Sequence, residues 1–393
     1  MPQQATTPRV VVSRRGAQRL KDGHVWVYRS DVLSADEIGP GALVEIADER
    51  GTVLGTASYS TASQIAIRLL SREPIDDIEG LFRRRLQDAF AYRKLVVRDT
   101  DAYRLVFSEA DYLPGLIIDK YNDVLSFQVL TQAMDAEPVR RILLSELSML
   151  NPAAIIERVE PRIRQLEQLP VRTSGLLQGE KTSTVFTMNG VKFHFDALEG
   201  QKTGAFLDQR ENYAAASQYA RGEALDVFCY QGGFALHLAE RCSSVTGVDS
   251  SRPALEMADR NGKLNGREIE WIEGNAFDLL HDYAAAGRQY DVIVLDPPAF
   301  AKTKKSLPTA LRGYKELNLR ALKMLRPGGF LVSCSCSYHV SQGKFLEVIR
   351  AAGQDVHKNL RLLENRGPAK DHPNLLNVPE TAYLKCAIIN VSR

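Results

Sequence analysis

"LDVFCYQGGFAL", residues 225–236, is the stretch that decides how this chain is read. A short apolar run ends in a pair of glycines, and a helical pattern starts at once. That is the opening of a β-α unit, in which the glycines let a ligand come close to the backbone. The spacing is not G-x-G-x-x-G, which disfavours a dinucleotide and therefore an NAD enzyme. A packing turn would also use such glycines, so the neighbouring segments have to decide.

Working outward, strands and helices alternate from about residue 196 to the C-terminus. "EALDVFCY", "SVTGVDS", "IEWIEG", "YDVIVLD" and "GGFLVSCSCS" read as strands. "GGFALHLAERC", "RPALEMADRNGKLNG", "NAFDLLHDYAAAG", "ALRGYKELNLRALKML" and "SQGKFLEVIRAAG" read as helices. Repeated β-α units predict a doubly wound parallel sheet that binds ligands at the carboxyl ends of its strands. Phe228, Tyr230 and Gly232 stand after the first strand. Asp249 ends the second, where an acid can bond ribose hydroxyls. Asn275 and Ala276 follow the third, with Asn275 placed to read an adenine edge. No phosphate-cradling loop accompanies them. The set points to a nucleoside cofactor without a pyrophosphate, a description that S-adenosylmethionine (AdoMet) fits.

The fourth strand runs into "DPPAFAKTKKS", residues 296–306. An acid followed by Pro-Pro makes a rigid, pre-shaped loop. It can hold a planar base, with Asp296 on its hydrogen-bonding edge and Pro297, Pro298 and Phe300 packing beside it. Lys302 and two further lysines suit a polyanionic substrate. The fifth strand ends in Cys334 and Cys336. A lone C-x-C provides only two of the ligands a zinc site needs, so no metal is expected. Disulfide geometry between residues i and i+2 of a strand is poor. Cys334, inside the apolar run, reads as core; Cys336, at the strand end beside Asp296, stands where a nucleophilic thiolate would.

Upstream, residues 1–75 read as short strands joined by turns, a small β-barrel, and residues 76–195 as an α+β unit without a catalytic constellation. Residues 1–30 hold Arg9, Arg14, Arg15, Arg19, Lys21 and Arg29 against Asp22 alone. Such clustering is the footprint of a phosphate-binding surface, although a solvated face would look the same. The 393 residues carry five scattered cysteines and a formal net charge of +2. No apolar run suits a bilayer and the start lacks a signal-peptide core, so the expectation is a cytoplasmic protein without a disulfide framework.

Across nearly its whole length the sequence resembles the bacterial large-subunit rRNA cytosine-5 methyltransferases of the RlmI type. The resemblance rests on "GHVWVY" (23–28), "TASQIAIR" (61–68), "YRLVFSEADYLPGLIIDKY" (103–121), "GQKTGAFLDQREN" (200–212), "FCYQGGFA", "DVIVLDPPAF", "RGYKELN" (312–318), "SCS" (335–337), "DHP" (371–373) and "YLK" (383–385). It implies a PUA-like RNA-binding domain over 1–75, with Arg14 and Arg15 toward RNA. It further implies a central domain over 76–195 and a Rossmann-like methyltransferase domain over 196–393. Lys202, Thr203, Asp208 and Arg210 are implied to lie against AdoMet, Cys336 and Asp296 to be catalytic, and Asp296 to touch the cofactor as well. The implied partner is 23S rRNA or a large-subunit assembly intermediate, and a homodimer is compatible with the family. Three positions depart from the pattern: Ala299 replaces a lysine, Tyr338 a glycine and Asn275 an aspartate. The rival readings are methylation of a guanine nitrogen, for which Cys336 is dispensable, and a non-catalytic RNA-binding assembly factor.

Overall fold

A computed structural model describes residues 7–35, 37–197, 205–301 and 303–392. Its N-terminal sheet has six strands: β1 (Arg9–Val12), β2 (Trp26–Tyr28), β3 (Val32–Ser34), β4 (Leu43–Asp48), β5 (Val53–Tyr59) and β6 (Ile65–Ser71), in the order 2-6-5-4-1-3. Alternate residues such as Val10, Val12, Val44 and Ile46 face one core, as the period of two requires. Helix α1 (Arg14–Lys21) begins where Ser13 Oγ caps Gly16 N–H, which leaves Arg14 and Arg15 on its outer side.

The second sheet joins β7 (Ala102–Phe107), β8 (Leu116–Tyr121), β9 (Val124–Val129), β10 (Ala154–Glu157) and β11 (Gly175–Gly179), in the order 11-10-9-8-7. Helices α2 (Ile78–Val96) and α3 (Glu137–Ser148) cover it with Phe82, Leu86, Ile142 and Leu143; the short α4 (Pro161–Leu166) follows β10. The hairpin β12 (Ser183–Met188) and β13 (Val191–Asp196) comes next. Its Phe186, Phe193 and Phe195 join Tyr121, Tyr213 and Phe234 in a single aromatic core, which ties the hairpin to the last sheet.

That last sheet contains β14 (Glu223–Val227), β15 (Ser244–Asp249), β16 (Glu270–Glu273), β17 (Tyr290–Leu295), β18 (Leu325–Ser335), β19 (Asn359–Arg366) and β20 (Lys385–Ser392), in the order 16-15-14-17-18-20-19. Helices α5 (Arg210–Ser217), α6 (Gly233–Leu238), α7 (Arg252–Leu264), α8 (Ala276–Ala285), α9 (Leu307–Met324) and α10 (Gln342–Asp355) accompany it. Val292 and Val294 face one layer while Ile293 and Leu295 face the other, so both faces are buried. Each such side chain contributes roughly 1.5–3 kcal/mol relative to an exposed one. The sheet is not wholly parallel: β20 runs antiparallel to both β18 and β19. The alternation of β-α units could not reveal this, because β20 follows a long loop rather than a crossover helix. Strand order reverses between β14 and β17, and their carboxyl ends make the crevice where such folds bind ligands.

Candidate active site

The loop after β14 is held in an unusual backbone conformation. Phe228 (φ 68°), Tyr230 (φ 50°) and Gly232 (φ 85°) all lie in the left-handed region, two of them without glycine's freedom. Such residues cost about 1–3 kcal/mol each and persist where the surroundings fix them. Here the fixing groups are on the neighbouring strand. Asp249 at the end of β15 accepts Tyr230 N–H at 2.9 Å, and Val248 O accepts Phe228 N–H at 2.8 Å. A narrow pocket lies against this loop, lined by Phe206, Phe228, Tyr230, Gln231, Gly233 and Asp296 among others. Its walls are largely aromatic, and among the described residues its acid is Asp296.

Asp296 ends β17, half-buried, with Gln209 Nε2 donating to Oδ2 at 3.0 Å. Burial, reinforced by nearby Asp208, pushes its pKa up to about 7. Cys336 follows β18, half-buried, its Sγ 3.9 Å from the carbonyl oxygen of Pro297. Both flanking serines fix it in place. Ser335 Oγ donates to Tyr314 Oη at 2.9 Å, the latter lies 2.9 Å from Ser337 Oγ, and Ser337 Oγ accepts Ala301 N–H at 3.1 Å. Cys334 is fully buried in the core opposite Cys386, as its apolar setting predicts. The thiol of Cys336 is not poised as a thiolate, however. Burial and the charges of Asp296 and Asp208 push it up to about 12, against the pull of Lys385. The sequence requires an electropositive setting; the structure supplies two carboxylates and one buried lysine.

Residues 110–388 match the family model of S-adenosylmethionine-dependent methyltransferases, and residues 10–72 match that of a PUA-like domain. A ribosomal RNA large subunit methyltransferase I from Photobacterium profundum is 38% identical over 379 residues, covering 93% of this chain and 95% of its own length. Its namesake from Yersinia pseudotuberculosis is 36% identical over 392 residues, covering 96% and 98%. A Streptococcus mutans structure, described as a SAM-dependent methyltransferase, superposes with a TM-score of 0.83 at 20% identity, over 98% of this chain and 100% of that one. The chain belongs to the S-adenosylmethionine-dependent methyltransferase family.

The methyltransferase's pocket fits its cofactor in chemical kind: aromatic walls, a left-handed loop beside an acid and, among the described residues, no ring of phosphate donors; the room that Gly232 and Gly233 leave is taken by Trp271 and Tyr213. Asp249 is half-buried, with Tyr230 N–H on Oδ2 and Ser251 N–H on Oδ1, each at 2.9 Å, and remaining lone pairs for hydroxyl donors. Asn275 caps α8, its Oδ1 accepting Phe277 N–H at 2.9 Å, so only its amide group is left to face an adenine. Ala276 is the buried first residue of that helix. Asp208 accepts Tyr383 Oη–H at 2.5 Å and lies in the acidic neighbourhood of Asp296 and Cys336.

Arg210, expected against the cofactor, is tied to another segment of the chain through Nη2, while its buried Nη1 has no hydrogen-bond partner among the described residues. Arg210 is 1% exposed, and its guanidinium pairs with the carboxylate of Asp371 at 3.0 Å. A buried guanidinium needs such a partner, and this one anchors α5 to the "DHP" segment. Lys202, Thr203 and Lys302 lie outside the described residues. Pro297 is buried, Pro298 is exposed, and the Phe300 ring packs 4.8 Å from that of Tyr314. Arg14 and Arg15 do not reach this site. They line an open cleft of about 1410 Å³ between α1 and the segment holding Asn377 and Glu380. Arg15 is bonded to Asp31 at 2.7 Å. Residue-type reasoning gave no role to Gln209, Tyr383 or Lys385; the only signal was the presence of the first in "FLDQREN" and the others in "YLK".

Proposed function

We propose that this methyltransferase modifies carbon 5 of a cytosine in large-subunit rRNA, with Cys336 as a transient covalent nucleophile. The carrying observation is the Cys336 thiol on the Asp-Pro-Pro loop, 3.9 Å from Pro297 O, beside the half-buried Asp296. The relatives' names and the PUA-like match support RNA as the substrate.

Carbon 5 of cytosine is a poor nucleophile. Cys336 Sγ, once deprotonated, adds to carbon 6, and the electron pair of the 5,6 double bond moves through the ring toward N3. Asp296, with a pKa near 7, is protonated in a substantial fraction of molecules at neutral pH and can donate that proton to N3 from Oδ1, while Gln209 fixes Oδ2. AdoMet, when bound, supplies the electrophilic methyl group that carbon 5 takes. Removal of the carbon-5 proton then restores the double bond, expels the thiolate and returns the N3 proton. Pro297, Pro298 and Phe300 would form the wall against which the extruded base lies, since a base stacked in folded RNA has to be flipped out. The cleft of Arg14 and Arg15 would hold phosphates. We place the enzyme in the cytoplasm, acting on 23S rRNA or a large-subunit assembly intermediate, with a homodimer as a compatible state. Domain limits at 75/76 and 195/196 belong to the same proposal.

One observation favours the rival amine chemistry: the raised pKa of the thiol. The two are separated by nucleoside mass spectrometry of unmodified large-subunit rRNA incubated with labelled AdoMet. 5-Methylcytidine formed by the wild type and absent with Cys336→Ala supports the proposal; methylguanosine from both proteins overturns it.

A further inference from the structure

Lys385 is 4% exposed, although lysine is among the residue types least often buried. It opens β20, directly opposite Ser335 of β18, so its side chain starts next to the strand end that carries Cys336. The Nζ group donates to Ser337 O at 2.6 Å and to Tyr383 O at 2.7 Å. One of these carbonyls belongs to the residue after Cys336, the other to the tyrosine that bonds Asp208. An ammonium has three donors, and these two bonds leave one N–H. The charge stands among groups that are anionic or become so. Around Cys336 are Asp296 after β17, Asp208 before α5, Tyr314 on α9, and Tyr383 and Lys385 at the start of β20. Lys385 is the one cation in that set.

We propose that Lys385 is the positioning residue for the nucleophile: it fixes the Cys336 loop through Ser337 O and provides the positive charge that the thiolate needs when it forms. The inference rests on the reading of Cys336 as nucleophile. The electrostatics agree with the geometry. Burial lowers the lysine to about 8 while Cys336 raises it, and Lys385 in turn lowers the cysteine. The two half-buried carboxylates alone would make the thiol unreactive; the buried ammonium of Lys385 offsets them, and more strongly once a bound base has taken up Asp296.

The test measures the alkylation rate of Cys336 by iodoacetamide, followed by peptide mass mapping in the full chain, so that the other four cysteines do not contribute. Below the thiol pKa this rate tracks the thiolate fraction, tenfold for each unit. Lys385→Gln can still bond both carbonyls but carries no charge; Lys385→Arg keeps the charge. We expect Lys385→Gln to slow alkylation about tenfold or more near neutral pH, the scale of losing an adjacent opposite charge, and Lys385→Arg to stay within a few-fold of wild type. Equal rates for wild type and Lys385→Gln, with both folded by thermal melting, overturn the inference. So does a loss in Lys385→Arg as large as in Lys385→Gln, because packing rather than charge would then be the cause. Should Lys385→Gln not fold, the wild-type rate decides alone. It must climb less steeply with pH above about 8, where Lys385 loses its proton, and an unchanged slope overturns the inference. Alkylation reads Cys336 whether or not it attacks a cytosine, so failure here is distinct from failure of the proposed reaction.

Discussion

Two concave regions of this molecule are built on opposite physical terms. The pocket over the Phe228–Gly233 loop is narrow and has aromatic walls, with Asp296 as the acid among its described lining residues. The cleft beside α1 opens about 1410 Å³ between Arg14, Arg15 and Arg19 on one side and Asn377 and Glu380 on the other. In the first, little water reaches the charges, and burial moves proton affinities far. Asp296 rises to about 7, and Asp226 beneath the loop rises to about 8. In the second, the arginines lie along an open cleft, and Arg15 is held by Asp31. Under the proposed function the first region would tune chemistry and the second would hold phosphates, so substitutions in each should fail in different assays.

The largest separation is expected at Asp296. Asp296→Asn should lower the turnover of methylation on the order of 10²–10³-fold, the usual cost of removing one group that stabilises developing charge, with AdoMet binding by calorimetry little changed. Its pH profile gives the sign. The wild-type carboxyl is protonated below about 7, so the rate should rise with thiolate formation up to that pH and then flatten as the donor is lost. In Asp296→Asn the rise should continue through neutrality; the same plateau in both proteins would remove Asp296 from the role of acid. Asp249→Asn comes next. Loss of a charged acceptor for hydroxyls should weaken AdoMet about tenfold to a hundredfold by calorimetry, while affinity for RNA stays put. Arg14→Gln should do the reverse. RNA binding should weaken a few-fold and the slope of log affinity against log salt should fall by about one, with AdoMet affinity unchanged.

The smallest effect is on stability. Asp226 is fully buried, with Oδ2 on Ala235 N–H at 2.9 Å and Oδ1 without a hydrogen-bond partner. Its folded pKa of about 8 exceeds the ordinary 3.8, so between those values the folded state holds a proton that the unfolded state has released. Stability is therefore fully present below the lower value and declines as pH rises toward about 8. Asp226→Asn keeps the acceptor for Ala235 and should flatten that decline, reading as a melting temperature a few degrees above wild type near pH 8 and close to it near pH 4. Parallel melting curves across that range would contradict the assignment.

Much of this was legible from strand ends. Asp249, Asp296 and Cys336 all stand at the points where apolar runs stop, and a parallel sheet brings those points to one edge whatever the loops between them do. Cys334 was equally legible, since it lies two residues inside the same run. Three things were not. The antiparallel β20 follows a loop with no helical crossover, so the pattern that announced the five strands from β14 to β18 was missing, and the largely exposed edge strand β19 was not read either. Lys385 and Tyr383 reach the site only because that strand turns back beside β18. Arg210 looked like a ligand contact because it sits in the same motif as Asp208. Its partner Asp371 is far along the chain, and no spacing rule links them. Asn275 shows a further limit: the residue type that reads an adenine is also a preferred helix cap, and only the hydrogen bond to Phe277 N–H tells which use its carbonyl has.

The central claim is that the thiol of Cys336 adds to carbon 6 of a cytosine held beside Asp296. The most direct measurement uses large-subunit rRNA transcribed with 5-fluorocytidine, whose carbon-5 fluorine cannot leave as a proton would, incubated with AdoMet and enzyme. The account predicts a covalent protein–RNA complex that survives denaturation and maps, after digestion, to the peptide containing Cys336, with none formed by Cys336→Ala. A stable complex mapping to any other residue, or none at all from an enzyme that methylates ordinary rRNA, would contradict it.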